Sequence, residues 1–306
     1  MVTASVADGS YAVGQTIPIQ VLYSEPVTVA VALENPTLTL NAATRRVASY
    51  VSGSGTRVLV FNYVVQPGDT TPDLDYISDS ALSLKFATFR DSGGSDALLT
   101  LPAPASAGSL SHSKDIVIDT APPAAPAVNA LVTNVTKPII TGTATLGAGE
   151  SLSVTVNGFT FNNVPVVANA WTLNLATATP ASGTFTALPD AVYSVTATAT
   201  DPAGNATSDP TVGELTIDTV PPALAVVNTL VTNVVKPTLT GTATLLAGET
   251  LAITINGFTY SNVPVVAGAW SLNLATATPT VGTFTSLADG TYAVTATTRD
   301  LSLIHI

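Results

Sequence analysis

Apolar and polar residues alternate with a period of two along most of this chain. Leu152, Val154 and Val156 point one way, and Ser151, Ser153 and Thr155 the other. That is the signature of a strand with one buried face. Asn157-Gly158 follows directly. This dipeptide supplies the two positive φ angles of a type I′ turn, so it predicts a hairpin returning through Phe159-Thr160-Phe161. Trp171 to Leu175 alternates again. Tyr193 to Thr200 does so too, with Tyr193, Val195, Ala197 and Ala199 on one face, and Leu215 and Ile217 mark a last strand. Roughly seven strands in about a hundred residues predict an immunoglobulin-like β-sandwich.

The pattern then repeats. Leu131 to Thr200 returns as Leu230 to Arg299, identical at 49 of 70 aligned positions without a gap. Ile118-Asp119-Thr120 recurs as Ile217-Asp218-Thr219 at the same spacing of 99 residues. A fixed period of domain size means a series of like modules rather than one large fold. Ala121-Pro122-Pro123 and Val220-Pro221-Pro222 precede the two copies. Proline fixes φ and favours extended chain, so these are short, stiff joints.

Residues before the first joint form a module of a different type. Ile17 to Tyr23 alternates and is expected to end at Ser24-Glu25-Pro26, and Thr37 to Leu40 alternates again. Val58 to Val64 is expected to be a buried strand entered through Gly53-Ser54-Gly55, and Gln66-Pro67-Gly68-Asp69 a turn. Leu98 to Leu101 and Ile116 to Ile118 are expected to be the closing strands. The organisation expected is therefore all-β, tandem immunoglobulin-like sandwiches in an elongated array. The first module spans 1–120, the second 121–219, and a truncated second copy 220–306. Leu301 to Ile306 departs from the repeat and resembles a translated sequencing adapter, so 301–306 is expected to be non-native and the third module to end on an open sheet edge.

Composition narrows function. Nine basic residues against 20 acidic give a net charge of −11. Nucleic acid and anionic membrane surfaces need a basic footprint, so neither is expected as a partner. Only 9% of residues are charged while 46% are apolar, which argues for packed modules over disorder. There is no cysteine, hence no disulfide and no thiolate chemistry. No apolar run is long enough to span a membrane as a helix.

Catalytic chemistry has little to draw on. The two histidines are His112, in a serine-rich loop, and His305. No Ser/His/Asp set and no nucleotide or zinc motif can be assembled, so no enzyme is expected. Asp73 and Asp75 are the one close carboxylate pair of glycosidase type to follow up. Trp171 and Trp270, one per copy, are expected to be core anchors rather than sugar-stacking platforms. Leu188 to Tyr193 and Leu287 to Tyr292 look like tyrosine corners.

Carboxylates at turns suit calcium, which takes hard oxygen ligands in flexible numbers. In a seven-stranded antiparallel sandwich the loop between strands six and seven lies at the N-terminal pole. In the second module that loop is Asp201 to Asn205, which should meet Asp119 just before the prolyl joint. Asp300 should likewise meet Asp218. Asp119, Asp201, Asn205, Asp218 and Asp300 are therefore the candidate calcium ligands at the joints.

The second and third modules resemble the bacterial Ig-like repeats of very large secreted surface adhesins. The residues carrying the resemblance are Ile217 to Pro222, Asp201-Pro202-Ala203-Gly204-Asn205, the corner ending at Tyr193, and Trp171. The first module resembles another repeat of the same proteins through Asp8 to Gly14, Tyr23 to Val27, Tyr50 to Thr56, Gly68-Asp69 and Asp73 to Tyr76. The resemblance implies spacer modules at the bacterial cell surface, stiffened by calcium at their joints and packed against neighbouring repeats. Matrix or host glycans would be bound by domains elsewhere. Val128 to Asn134 stands where such repeats usually carry an acidic cluster, and Asp91 to Ser95 replaces a loop that ends in asparagine. The alternative readings are a module binding glycans through the loops of module one, and an accessory region of a secreted polysaccharide-active enzyme.

Overall fold

The computed structural model describes residues 1–43 and 46–300. It is 42% strand and 1% helix, arranged as immunoglobulin-like β-sandwiches in series. Three hydrophobic cores follow one another along the chain and share no residue.

The first part of the chain contains β1 (Val2–Ala4), β2 (Gly9–Tyr11), β3 (Thr16–Ala30), β4 (Thr37–Leu40), β5 (Arg46–Ser52), β6 (Thr56–Val64), β7 (Thr70–Thr71), β8 (Leu82–Ser83) and β9 (Thr88–Arg90). They are followed by the single helical turn α1 (Leu110–Ser113) and by β10 (Ile116–Asp119). The main sheet runs β1-β3-β6-β5-β4-β8, with β9 on the far end of β3. Opposite it lies a small sheet, β2-β10-β7. Ile17, Ile19, Leu59, Phe61 and Tyr63 fill the space between.

Three expectations change here. β3 does not stop at Ser24-Glu25-Pro26: its pairing with β6 breaks register between Leu22 and Val27 and then resumes. A bulge accommodates proline, which has no N–H to give the ladder. Leu98 to Leu101 forms no strand. Backbone bonds from Ala97 to Phe89 and from Leu101 to Asp79 pin it at its ends, and Leu98 is exposed. His112 lies in α1, not in a loop, with Ser109 capping the turn by accepting the His112 N–H.

The second part contains β11 (Ala127–Val128), β12 (Leu131–Thr133), β13 (Ile139–Thr143), β14 (Ser151–Val156), β15 (Phe159–Phe161), β16 (Val166–Val167), β17 (Ala170–Asn174), β18 (Ala191–Tyr193), β19 (Val195–Thr200), β20 (Ala206–Ser208) and β21 (Leu215–Ile217). The sheets are β11-β13-β17-β16, β15-β14-β19-β20 and β12-β21-β18. The hairpin falls where its sequence places it: Asn157 and Gly158 take φ of 49° and 78°. Leu152, Val154 and Val156 are buried, as the alternation requires. The single strand expected over 193–200 is divided instead. Tyr193 pairs with Leu215 in one sheet and Val195 with Val156 in another, so the chain changes sheets at Ser194. The Tyr193 hydroxyl donates to the Pro189 carbonyl at 2.8 Å, closing the tyrosine corner.

The third part repeats this with β22 (Val226–Val227), β23 (Thr238–Thr242), β24 (Thr250–Ile255), β25 (Phe258–Tyr260), β26 (Val265–Val266), β27 (Ala269–Asn273) and β28 (Val294–Arg299). Its sheets are β22-β23-β27-β26 and β25-β24-β28. Among the described residues there is no counterpart of β20 or β21. The tail at 301–306, expected to be non-native, and His305 within it lie outside the described residues.

Candidate functional site

The joint between the first two cores gathers three of the five proposed ligands. β10 ends at Asp119 and the prolyl segment begins two residues later. The loop leaving β19 starts at Asp201, turns through Gly204 with φ of 93°, and returns to β20 at Asn205. Asp201 Oδ1 accepts the Asn205 backbone N–H at 2.9 Å, and Asp201 Oδ2 accepts the Asn205 side-chain amide at 2.8 Å. The second hydrogen of that amide reaches across the joint to the Asp119 backbone carbonyl at 2.9 Å. Asn205 is thus a clasp: one NH₂ group holds a carboxylate of one module and a carbonyl of its neighbour.

The Asp119 carboxylate does not face this point. Its Oδ1 accepts the Ala121 N–H at 3.0 Å, an Asx-type turn that starts the prolyl segment. Asp218 repeats the arrangement, with Oδ1 accepting the Val220 N–H at 3.1 Å. Two threonines moor the joints further. Thr120 Oγ1 donates to the Asp69 carbonyl and accepts the Gly68 N–H, at 2.9 and 3.2 Å. Thr219 gives both its N–H and its hydroxyl to Asp190 Oδ1, at 3.1 and 2.8 Å. Asp300 is buried like its equivalent Asp201.

As placed, the candidate ligands of the first joint are engaged with one another and with their own backbone. Calcium takes six to eight oxygens. Here the Asp201 carboxylate and the Asp119 carbonyl already accept N–H groups from one asparagine, and the Asp119 carboxylate is turned onto its own backbone. Among the described residues no group of three or more His, Asp or Glu stands close enough to hold a metal ion.

Asp75 has structural work instead, whereas Asp73 Oδ1 is buried with no hydrogen-bond partner among the described residues. Asp75 is buried, with Oδ2 accepting from Ala105 N at 3.0 Å and Ser111 Oγ at 2.7 Å, and Oδ1 from Tyr76 N at 2.9 Å. Burial, then the Asp115 and Asp75 carboxylates, push the Asp73 carboxyl above its ordinary value. Trp171 and Trp270 are 1% and 2% exposed, so neither presents a face on which a sugar could stack.

Sequence reasoning missed Asp69. It is fully buried at the foot of β6 and accepts from the Tyr63 hydroxyl at 2.5 Å and from Gln66 N at 2.9 Å, and it pairs with the Arg46 guanidinium. Its own carbonyl is the one that moors Thr120. The core of module one and the joint therefore meet at a single residue. Only the turn composition around Gly68 and the place of Gly68-Asp69 in the resemblance pointed there.

No family model and no curated protein matches the sequence. Solved structures overlap it loosely. A fragment of a 1.5-MDa bacterial ice-binding adhesin, studied for host cell surface retention, covers 98% of this chain and 96% of its own at 18% identity, with a TM-score of 0.31. The I67–I69 fragment of titin covers 88% and 86% at 11% identity, with a TM-score of 0.34. The Bacteroides ovatus protein SGBP-B, solved with a mixed-linkage heptasaccharide, covers 89% and 66% at 16% identity, with a TM-score of 0.22. These overlaps are too loose to transfer a function.

Proposed function

We propose that this chain is a structural extender of a bacterial surface protein, a run of sandwich modules whose product is reach rather than reaction. One observation carries the reading: at the first joint the two cores, separated by a short prolyl segment, are tied across it by the Asn205 amide, which bonds the Asp119 carbonyl while holding Asp201 of its own module. A binding module keeps an accessible platform and an enzyme keeps converging acids. Here the tryptophans are enclosed and Asp75 is saturated by backbone and serine donors. The extracellular placement and the partners, neighbouring repeats and glycans bound by domains elsewhere, belong to the same reading.

Stiffness at the first joint is then expected without a metal. Calcium could replace the clasp only with the Asn205 amide turned over, so that Oδ1 rather than the NH₂ group faces the two oxygens. Small-angle scattering in calcium and in chelator separates the two arrangements. The expected result is one maximum dimension in both buffers for the wild type and a shorter mean dimension for Asn205→Ala. Each lost bond is worth about 1 kcal/mol, enough to loosen a joint and too little to unfold a module. A wild-type dimension that shortens in chelator would return the joint to calcium.

A further inference from the structure

The main sheet of module one turns one side to the core and the other to solvent. The register fixes which side chains point outward. Thr3 stands opposite Gln20, Gln20 opposite Val60, Leu22 opposite Val58, Ser49 opposite Asn62, and Thr39 opposite Val47. Val51 is the extra residue where the β5–β6 register shifts between Tyr50 and Ser52. Val47, Val51 and Val64 are exposed, and Leu22, Val58 and Val60 are partly so. An antiparallel sheet with one solvated face normally alternates apolar-in with polar-out. Here β6 alone puts three valines outward, Val58, Val60 and Val64.

Among the described residues no charged side chain stands at an outward position of β1, β4, β5, β6 or of β3 before its bulge. Arg46 opens β5 but turns to buried Asp69. Glu25 and Arg57 lie past Leu22 and Val58, at the bulged end of the ladder. The chain as a whole carries a net charge of −11. Two copies therefore repel as they approach, and this face lets them meet without bringing carboxylates together. Module two is built differently. The outward ladder of β14 and β19 pairs Ser151 with Thr200, Ser153 with Thr198 and Thr155 with Thr196. Hydroxyls lose by giving up their water, whereas valines gain.

We propose that the outer face of the β1-β3-β6-β5-β4 sheet is a self-association surface, and that its occupant is the same face of a second copy of this chain. Five strands about 4.8 Å apart and about seven residues long present roughly 550 Å² per copy, so pairing removes about 1,100 Å² from solvent, just above the about 1,000 Å² that a specific interface needs. The contact is isologous, the neutral face meeting itself across a two-fold axis. The two sheets then lie about 10 Å apart, as the sheets of one sandwich do, with Val58 and Val60 of each copy packed on the other. An interface of this size gives a weak, reversible dimer. The proposal stands on module one alone and needs nothing of the joints or of the extender reading. Lateral pairing makes the molecule cohesive with its own kind, which a spacer does not need to be.

The test is sedimentation equilibrium of the 306-residue chain over a range of concentrations and salt. A reversible monomer–dimer equilibrium is expected, and it should tighten as salt rises, because salt screens the repulsion between acidic chains and leaves an uncharged contact intact. The chain carrying Val58→Lys and Val60→Lys sets like charges against each other and is expected to dimerise at least about tenfold more weakly. Val60→Thr keeps the branched shape that suits a strand, so it tests the contact without threatening the fold, and severalfold weakening is expected. Ser153→Lys with Thr198→Lys on the hydroxyl face of module two is expected to leave the dissociation constant within about twofold. A chain that stays monomeric at millimolar concentration overturns the proposal. So does a dimer that the module-one lysines leave intact, one that the module-two lysines weaken equally, or one that salt dissolves.

Discussion

Gly142→Ala is expected to lower the stability of module two by about 3 kcal/mol or more, close to the about 3–5 kcal/mol expected for Trp171→Ala. Gly142 sits opposite Trp171 in the β13–β17 ladder and opposite Val128 in β11. A β-carbon added there would stand 2.1 Å from the Ala127 carbonyl oxygen and 2.4 Å from Cζ2 of the Trp171 ring. Neither neighbour can retreat. The carbonyl belongs to the next strand, and the ring is locked in a core that includes Ile140, Leu173 and Phe185. The glycine is therefore a seat for the indole, and the two residues act as one unit. Module three repeats the unit, with Gly241 under Trp270 and gaps of 2.0 and 2.4 Å. The difference between copies lies in the indole N–H. That of Trp270 donates to the Val226 carbonyl at 3.1 Å, whereas that of Trp171 has no partner among the described residues. For a module of this size about 3 kcal/mol corresponds to a fall of roughly 12–24 °C in the melting temperature. Thermal melts followed by the two indole NMR signals assign the loss: Gly142→Ala should move the Trp171 signal's transition and leave that of Trp270 in place. An unmoved Trp171 transition would mean that the ring does not rest on the glycine.

Features governed by local chemistry were legible in the sequence. The Asn157-Gly158 turn follows from the need for two positive φ angles, and the buried face of β14 follows from strict alternation. Topology added one long-range result, bringing Asp201 and Asn205 to Asp119 across 86 residues. What it could not give was which atoms meet. The clasp uses the backbone carbonyl of Asp119, while the carboxylate, the group that suggested calcium, turns onto Ala121. The change of sheet at Ser194 was invisible because Tyr193 and Val195 obey the same alternation on either side of it. Pro26 reads as a stop, but a bulge lets β3 continue past it. Asp69 looked like an ordinary turn residue because Arg46, 23 residues before it, reaches it only through the pairing of β5 with β6, the strand that carries Tyr63.

Asp69→Asn should cost module one about 3 kcal/mol, at the lower end for breaking a buried ion pair because the Arg46 side chain is 28% exposed. Asparagine keeps the shape and loses the charge. One of its two side-chain positions becomes an N–H donor, and it then faces either the Arg46 guanidinium or the Tyr63 hydroxyl, both of them donors at present. The pH dependence gives the substitution a signature that simple mispacking lacks. Burial pushes the Asp69 carboxyl up, but the hydrogen bonds from Tyr63, Arg46 and the Gln66 N–H outweigh it and hold the group below its ordinary value of 3.8. A folded-state pKa below the unfolded one means that the unfolded chain binds the proton more readily. The stabilisation is complete above roughly pH 5 and is lost as pH falls through about 4 and below. Tyr63 acts at the other end of the scale. Burial first, and then its bond to Asp69, raise the phenol above its ordinary value of 10.0, so its contribution is present below that pH and is lost as the pH rises beyond it. The measurement is the denaturant-derived stability of module one from pH 3 to pH 8 for wild type and variant. The difference between the two curves should be about 3 kcal/mol and flat from pH 5 to 8, then shrink as the acid limit is approached, because protonation removes from the wild type what the substitution has already removed. A difference that stays constant down to pH 3 would show that the loss is steric and that the charge of Asp69 does not hold β5, β6 and the joint together.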